Sequence, residues 1–328
     1  LDKEPHPVDH VSLHWRFKIN DGEWSNWSWV DGTETTFKFD EDSRHMVEYY
    51  CIDALGNEEE LQFETDIVDT MPPVINKTIV GPFAGECPPR PDSDDVCIID
   101  GVTEIHVNAP DPEPHPVSGV KCDWSYVLLD GNASGGEKGL GEHFVIKFPE
   151  ESMHELTIVC VDALGNMVID KEIFQVDKTH PTTTKKFEGP QFPMDNDQLG
   201  VPHWISNNTW MFLSVEDNGP HKSGIKETNY RITKIDDEYC RPQEVNESKF
   251  NCENATGAGQ FNKYTDLPFH VNEESCHLIE YYSVDKVNKV EPVNKQCVFV
   301  DTSAPEPNKT VGEPKTPWNG KDANFYNI

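Results

Sequence analysis

The chain has 328 residues, room for two or three domains of ordinary size. Its 27 Lys and Arg stand against 59 Asp and Glu, a net charge of −32 at pH 7. A field of that sign repels phosphate backbones and anionic headgroups, which excludes nucleic acid and membrane-surface partners and leaves divalent cations open. Only 36% of residues are hydrophobic, no apolar run approaches the ~20 residues that span a bilayer, and no basic-then-apolar leader precedes Leu1. The expectation is a soluble chain without targeting signal, anchor or direct membrane insertion.

Taken in chain order, the elements are short strands. HWRFKI (14–19), TFKF (36–39), HMVEYYCID (45–53) and EEELQFETDI (58–67) come first; TEIHVNA (103–109), HFVIKF (143–148) and HELTIVCVD (154–162) follow. WMFLSVED (210–217), HLIEYYSVD (277–285) and KQCVFVD (295–301) close the series. They are β-branched and aromatic, roughly alternate apolar with polar, and are separated by Gly, Pro, Asn and Asp turns, and no stretch sustains a helical stripe. Gly56 and Gly165 supply the positive φ of the turn between two strands, and Asn288 takes that place further on.

The same order shows a repeat. VDTMPPVINKTIVGP (68–82), VDKTHPTTTKKFEGP (176–190) and VDTSAPEPNKTVGEP (300–314) are copies of one segment, spaced 108 and 124 residues apart. EYYCIDALGN (48–57), TIVCVDALGN (157–166) and EYYSVDKVNK (280–289) precede them, and EPHPVDHV (4–11), EPHPVSGV (113–120) and GPHKSGI (219–225) open each unit. The longer third copy carries an insertion holding Cys240 and Cys252. Units near 100 residues with six-residue strands predict an all-β chain of tandem immunoglobulin-like β-sandwich domains, a beads-on-a-string array. The expected divisions are 1–70, a repeat lacking its first part; 78–178; 186–302, with the insertion; and 310–328, the start of a further repeat or a strand donated to a neighbour. Because the two ends resemble two parts of one unit, the chain is either a window on a longer array or a subunit completed by its neighbours.

Nine cysteines point to an oxidising compartment. Cys87 with Cys97, and Cys240 with Cys252, bracket short loops that read as disulfide-stapled. Cys276 and Cys297 lie almost symmetrically about the turn near Lys286 and are expected to bridge the last two strands. Cys122 is left for Cys160, joining two strands of the second copy. Cys51 occupies the place of Cys160, yet Leu13 stands where its partner would be, so Cys51 is a free thiol or pairs outside the chain. Asn-x-Ser/Thr sequons at Asn26, Asn76, Asn132, Asn207, Asn246, Asn254 and Asn308 predict N-linked glycans on an extracellular, cell-surface protein.

These repeats resemble the immunoglobulin-like repeats of archaeal and bacterial surface proteins, whose signature Y-x-x-D-x-x-G-N is followed by V-D-x-x-x-P. The resemblance covers essentially the whole chain and is nearest to archaeal S-layer, sheath and filament proteins. It implies a structural subunit that self-associates into a polymer or lattice; the alternative is an adhesin stalk or carbohydrate-binding module.

Acidic loops recur at corresponding places: Asp2 and Glu4, Asp111 and Glu113, Glu216 and Asp217 near the Pro-His motif, and Asp53, Asp162 and Asp285 after the penultimate strand. Carboxylates converging from two loops suit Ca²⁺, which takes six to eight oxygens; the bland reading is turn-capping Asp on solvated loops. Calcium is the one cofactor the sequence leaves room for, and none is required. The spacing of His6, His10 and His14 suits zinc only on a helix that Pro5 and Pro7 forbid. Trp27 and Trp29 are candidates for a sugar platform. No nucleophile elbow, HExxH or Gly-rich phosphate loop occurs, and a non-enzymatic role is expected.

Overall fold

The computed structural model describes residues 10–89, 96–192, 203–240 and 252–309, with the short strands Lys315–Pro317 and Asn324–Tyr326. Asp2, Glu4 and Asn246 lie outside the described residues. The chain forms two compact units. The first comprises Leu1–Thr182, Glu216–Lys226 and Ser283–Glu291; the second comprises Thr183–Val215, Glu227–Tyr282 and Pro292–Ile328.

In the first unit, Ser28–Asp31, Val11–Ile19, Ser43–Asp53 and Gln62–Val68 make a four-stranded antiparallel sheet in that order. Its register places Leu13 opposite Cys51, as the repeat alignment requires. Further along, a larger sheet runs Ser134–Leu140, Lys121–Leu128, Met153–Val161, Met167–Asp177, Cys97–Asp100 and Phe83–Ala84. Cys122 faces Cys160 across it and the two are bridged. A second sheet of His143–Ile146, Glu104–Asn108 and Asn76–Val80 completes a sandwich. Strict alternation along Met153–Val161 turns His154, Leu156, Ile158 and Cys160 inward, where they meet Ile105, Val107, Ile146, Phe148 and Phe174. Fully burying an apolar side chain of this size contributes roughly 1.5–3 kcal/mol.

The second unit holds most of another sandwich. Gln191–Phe192, His203–Ile205, Asn294–Val300, Cys276–Asp285, Ile225–Lys234 and Asn262–Lys263 form one sheet, and Thr182–Glu188 pairs with Trp210–Glu216. Phe187, Ile205, Met211, Leu213, Ile279 and Val298 form its core.

Two details recur with the repeat. The linker threonine clamps onto an acidic residue of its own copy: Thr70 donates to Asp42, Thr179 to Glu151 and Thr302 to Glu274. A buried histidine recurs on the strand before the turn, and His154 and His277 each contact the carbonyl two residues earlier, at 3.2 and 3.0 Å. Burial holds both imidazoles below their ordinary pKa, against the pull of nearby Glu150 and Glu273.

The eight bridged cysteines are those expected, but two pairings differ. Cys87–Cys97 and Cys122–Cys160 form, whereas Cys240 joins Cys276 and Cys252 joins Cys297. The ladder places Cys276 opposite Phe299 and Cys297 opposite Leu278, so these two thiols are diagonal rather than facing. Each is met instead by one end of the insertion, which is stapled to the hairpin rather than closed on itself. Cys51 is unbridged; burial and the neighbouring Glu59 push its thiol up, toward the unreactive form.

Candidate metal centre

Three aspartate positions recur along the copies, and wherever the residues are described the backbone holds each in the same way. After the penultimate strand, the turn wraps one carboxylate oxygen: Asp162 Oδ1 accepts from the amides of Leu164, Gly165 and Asn166 at 2.8, 2.7 and 2.9 Å. Asp53 Oδ1 accepts from Leu55 and Asn57, and Asp285 Oδ1 from Val287 and Lys289. Gly165 has φ of 97° and Asn288, at the corresponding place, 64°, the left-handed conformation the turn needs.

In the loop that opens the second and third sequence copies, Asp111 Oδ2 accepts from Val117 N and Asp217 Oδ2 from Gly224 N, both at 2.6 Å. At the end of the last strand, Asp69, Asp177 and Asp301 each accept, through Oδ1, the amide two residues on, at 3.0, 3.2 and 3.0 Å.

The fold gathers these positions into two triads, Asp69 with Asp111 and Asp162, and Asp177 with Asp217 and Asp285. In each, one carboxylate oxygen per residue lies within 4.8 Å of the others. Each triad takes one aspartate from the end of one sequence copy and two from loops of the next. Both lie within the first unit.

Their surroundings differ. In the first triad, Asn166 Nδ2 donates to Asp162 Oδ2 at 2.7 Å and to Asp69 Oδ2 at 3.3 Å. Burial opposes ionisation of Asp162, yet the Asn166 amide and the turn amides outweigh it and hold the carboxyl below its usual value. Asp69 is pushed up, by burial first and then by the charges of Asp111 and Asp162. The second triad is buried throughout, and Asp177 and Asp285 are 0% exposed. Lys289 stands where Asn166 would be, and its Nζ lies 2.6 Å from Asp100 instead. Asp217 Oδ1 and Asp285 Oδ2 are buried with no hydrogen-bond partner. Burial, reinforced by the charges of Asp177 and Asp217, pushes the Asp285 carboxyl up to about 6 against the turn amides.

Of the residues expected from sequence, Asp111, Asp162, Asp217 and Asp285 come together in pairs. Glu113 and Glu216 are exposed and belong to neither triad. Half-buried Asp53 meets no such partners among the described residues; it receives Asn57 Nδ2 on its second oxygen at 2.6 Å. In the sequence Asp69 and Asp177 read as linker markers, not as ligands; the signal that singles them out is their recurrence in every V-D linker. The Pro-His histidines face acids rather than one another: His115 lies 2.8 Å from Asp42 and His221 2.5 Å from Asp130.

Elsewhere, Asn26, Asn76, Asn132, Asn207, Asn254 and Asn308 are exposed. Trp24 and Trp27 both pack on the Arg16 guanidinium at 4.7 Å, which leaves Trp29 the most open of the tryptophan faces there. No helix of the described residues is long and apolar enough to cross a membrane.

No protein-family profile matches the chain. No curated protein matches it either. Among solved structures, the chain is similar to the FN1–FN3 domains of chicken CNTN1, with 9% identity and a TM-score of 0.31 over 89% of each chain. It is also similar to the fibronectin(III)-like modules of Clostridium thermocellum CbhA, with 14% identity and a TM-score of 0.29, covering 71% of this chain and 100% of that one. By its own sheets and cores, the protein is an all-β chain of β-sandwich domains in tandem. Its four disulfides fit an extracellular setting.

Proposed function

We propose that the chain is a non-catalytic segment of a glycosylated structural array at the cell surface, a filament, sheath or S-layer-like assembly of the archaeal kind its repeats resemble. The observation that carries this reading is the duplicated triad. The same three aspartates, one from the end of a copy and two from the loops of the next, recur with the sandwich, so the connection between copies repeats along with the domain. Disulfides and glycans on the exposed sequons protect such a segment from unfolding and proteolysis; each cystine contributes about 2–4 kcal/mol.

Negative-stain microscopy and sedimentation of the purified chain test the role. Regular polymers or sheets that form with rising concentration support it. Monomers that persist at high concentration, with and without divalent cations, contradict it. The carbohydrate-binding alternative predicts saturable glycan binding lost in Trp29→Ala; with Trp24 and Trp27 committed to Arg16, the structural role is favoured.

A further inference from the structure

We infer that the second triad, Asp177, Asp217 and Asp285, is a divalent cation site of the calcium class, and that the first is not, because Asn166 fills the ion's place there. The inference rests on the triad geometry and stands or falls independently of the array role.

In the second triad, each carboxylate already gives oxygens to backbone amides: Asp177 to Thr179 and Ser223, Asp217 to Gly224, Asp285 to Val287 and Lys289. Those bonds fix the carboxylates and use only part of their acceptor capacity. With Asp285 Oδ1 turned to its own turn and Asp217 Oδ2 to Gly224, the remaining oxygens, Asp285 Oδ2 and Asp217 Oδ1, are buried and unpaired. Asp285 is 0% exposed and Asp217 8%, so water does not make up the deficit from bulk. A buried carboxylate oxygen without a donor is costly; two such oxygens among three carboxylates whose oxygens lie within 4.8 Å of one another compound the cost. Among the described residues no Lys, Arg or His forms an ion pair with any of the three; Lys289, which stands at the Asn166 position, is engaged by Asp100. A dication answers both deficits, charge and coordination.

The donor set chooses the ion. All donors are carboxylate oxygens, which suit hard cations and not zinc or copper. Between the hard cations, a buried site asks the ion to shed water and accept an irregular oxygen set. Ca²⁺ does both more readily than Mg²⁺, which demands near-octahedral geometry and keeps its waters.

The first triad has the same three aspartates and an internal substitute for the ion. Asn166 Nδ2 spans Asp69 and Asp162, giving a donor to each carboxylate. Asp111 Oδ1 remains buried and unpaired, so the first triad keeps one such oxygen against two in the second, on a residue that is itself only half-buried. The difference between the triads thus reduces to one position, Asn166 in one copy and Lys289 in the next.

Isothermal titration of the chelator-treated full chain with CaCl₂, paired with thermal unfolding, tests the assignment. The expected result is one Ca²⁺ per chain and a rise in Tm on loading. Asp285→Asn is expected to abolish both while leaving the ion-free chain as stable as wild type or more so, since it removes a crowded charge; this separates lost binding from lost folding. Asp162→Asn is expected to leave the stoichiometry at one, and Asn166→Asp to raise it to two. No binding at millimolar Ca²⁺, binding that survives Asp285→Asn, or two ions bound by the wild-type chain would each overturn the inference.

Discussion

The two triads are a natural comparison, with the same aspartates, the same backbone clasps and a different fourth residue. Around Asp69, Asp111 and Asp162, the fold balances its buried charge with the amide of Asn166. Around Asp177, Asp217 and Asp285 the side chain at that position leaves for Asp100, and two oxygens stay unpaired. The lesson is that a repeated motif does not guarantee a repeated chemistry: one side chain decides whether a cluster of acids closes on itself or waits for a cation.

Removing calcium gives the largest expected contrast. Chelation should cost the loaded chain about 2.7 kcal/mol if the ion is held at a hundred times its Kd. In hydrogen-exchange measurements, the loss of protection should fall on Glu216–Lys226 and Ser283–Glu291 and leave the Asp162–Asn166 turn unchanged; equal loss in both regions would erase the distinction. Next comes Asn166→Ala, measured by denaturation in chelator. It strips a donor from two mostly buried carboxylates and should cost about 1–3 kcal/mol, whereas Lys289→Ala should cost less, since its ammonium pairs with Asp100 and not with a triad carboxylate. The reciprocal change, Lys289→Asn, should give the second triad the character of the first and weaken calcium binding at least tenfold.

The smallest effect is in pH. His154 and His277 are held neutral by burial in the sandwiches of the two copies. Their folded values are lowered, so the unfolded chain binds protons first, and the stability they contribute is complete above about 6.5 and lost as pH falls below it. His154→Gln should flatten the acid limb of a stability-against-pH curve only in part, with His277 supplying the rest.

Much of this was legible in the sequence because it depends on local periodicity. The alternation in HELTIVCVD gave a strand with one buried face, Asn288 in the glycine place gave the third turn, and the alignment of Leu13 with Cys122 gave the register of Cys51. What was not legible depended on long-range register. Symmetry about the turn near Lys286 suggested Cys276 with Cys297, but the ladder sets each opposite a different residue, and the ends of the insertion take both. Non-reduced peptide mapping should find Cys240–Cys276 and Cys252–Cys297; recovery of Cys276–Cys297 would contradict the fold there. The metal centre was half legible for the same reason. The loop aspartates announced themselves by their acidic neighbours, whereas Asp69 and Asp177 close the triads from the end of a strand, at a distance no local pattern encodes.

The most direct test of the claim that the two triads differ is anomalous diffraction from crystals of the full chain grown in calcium. The account predicts one strong peak among the carboxylates of Asp177, Asp217 and Asp285, and none at Asn166. Peaks of equal height at both triads, or none at either, would contradict it.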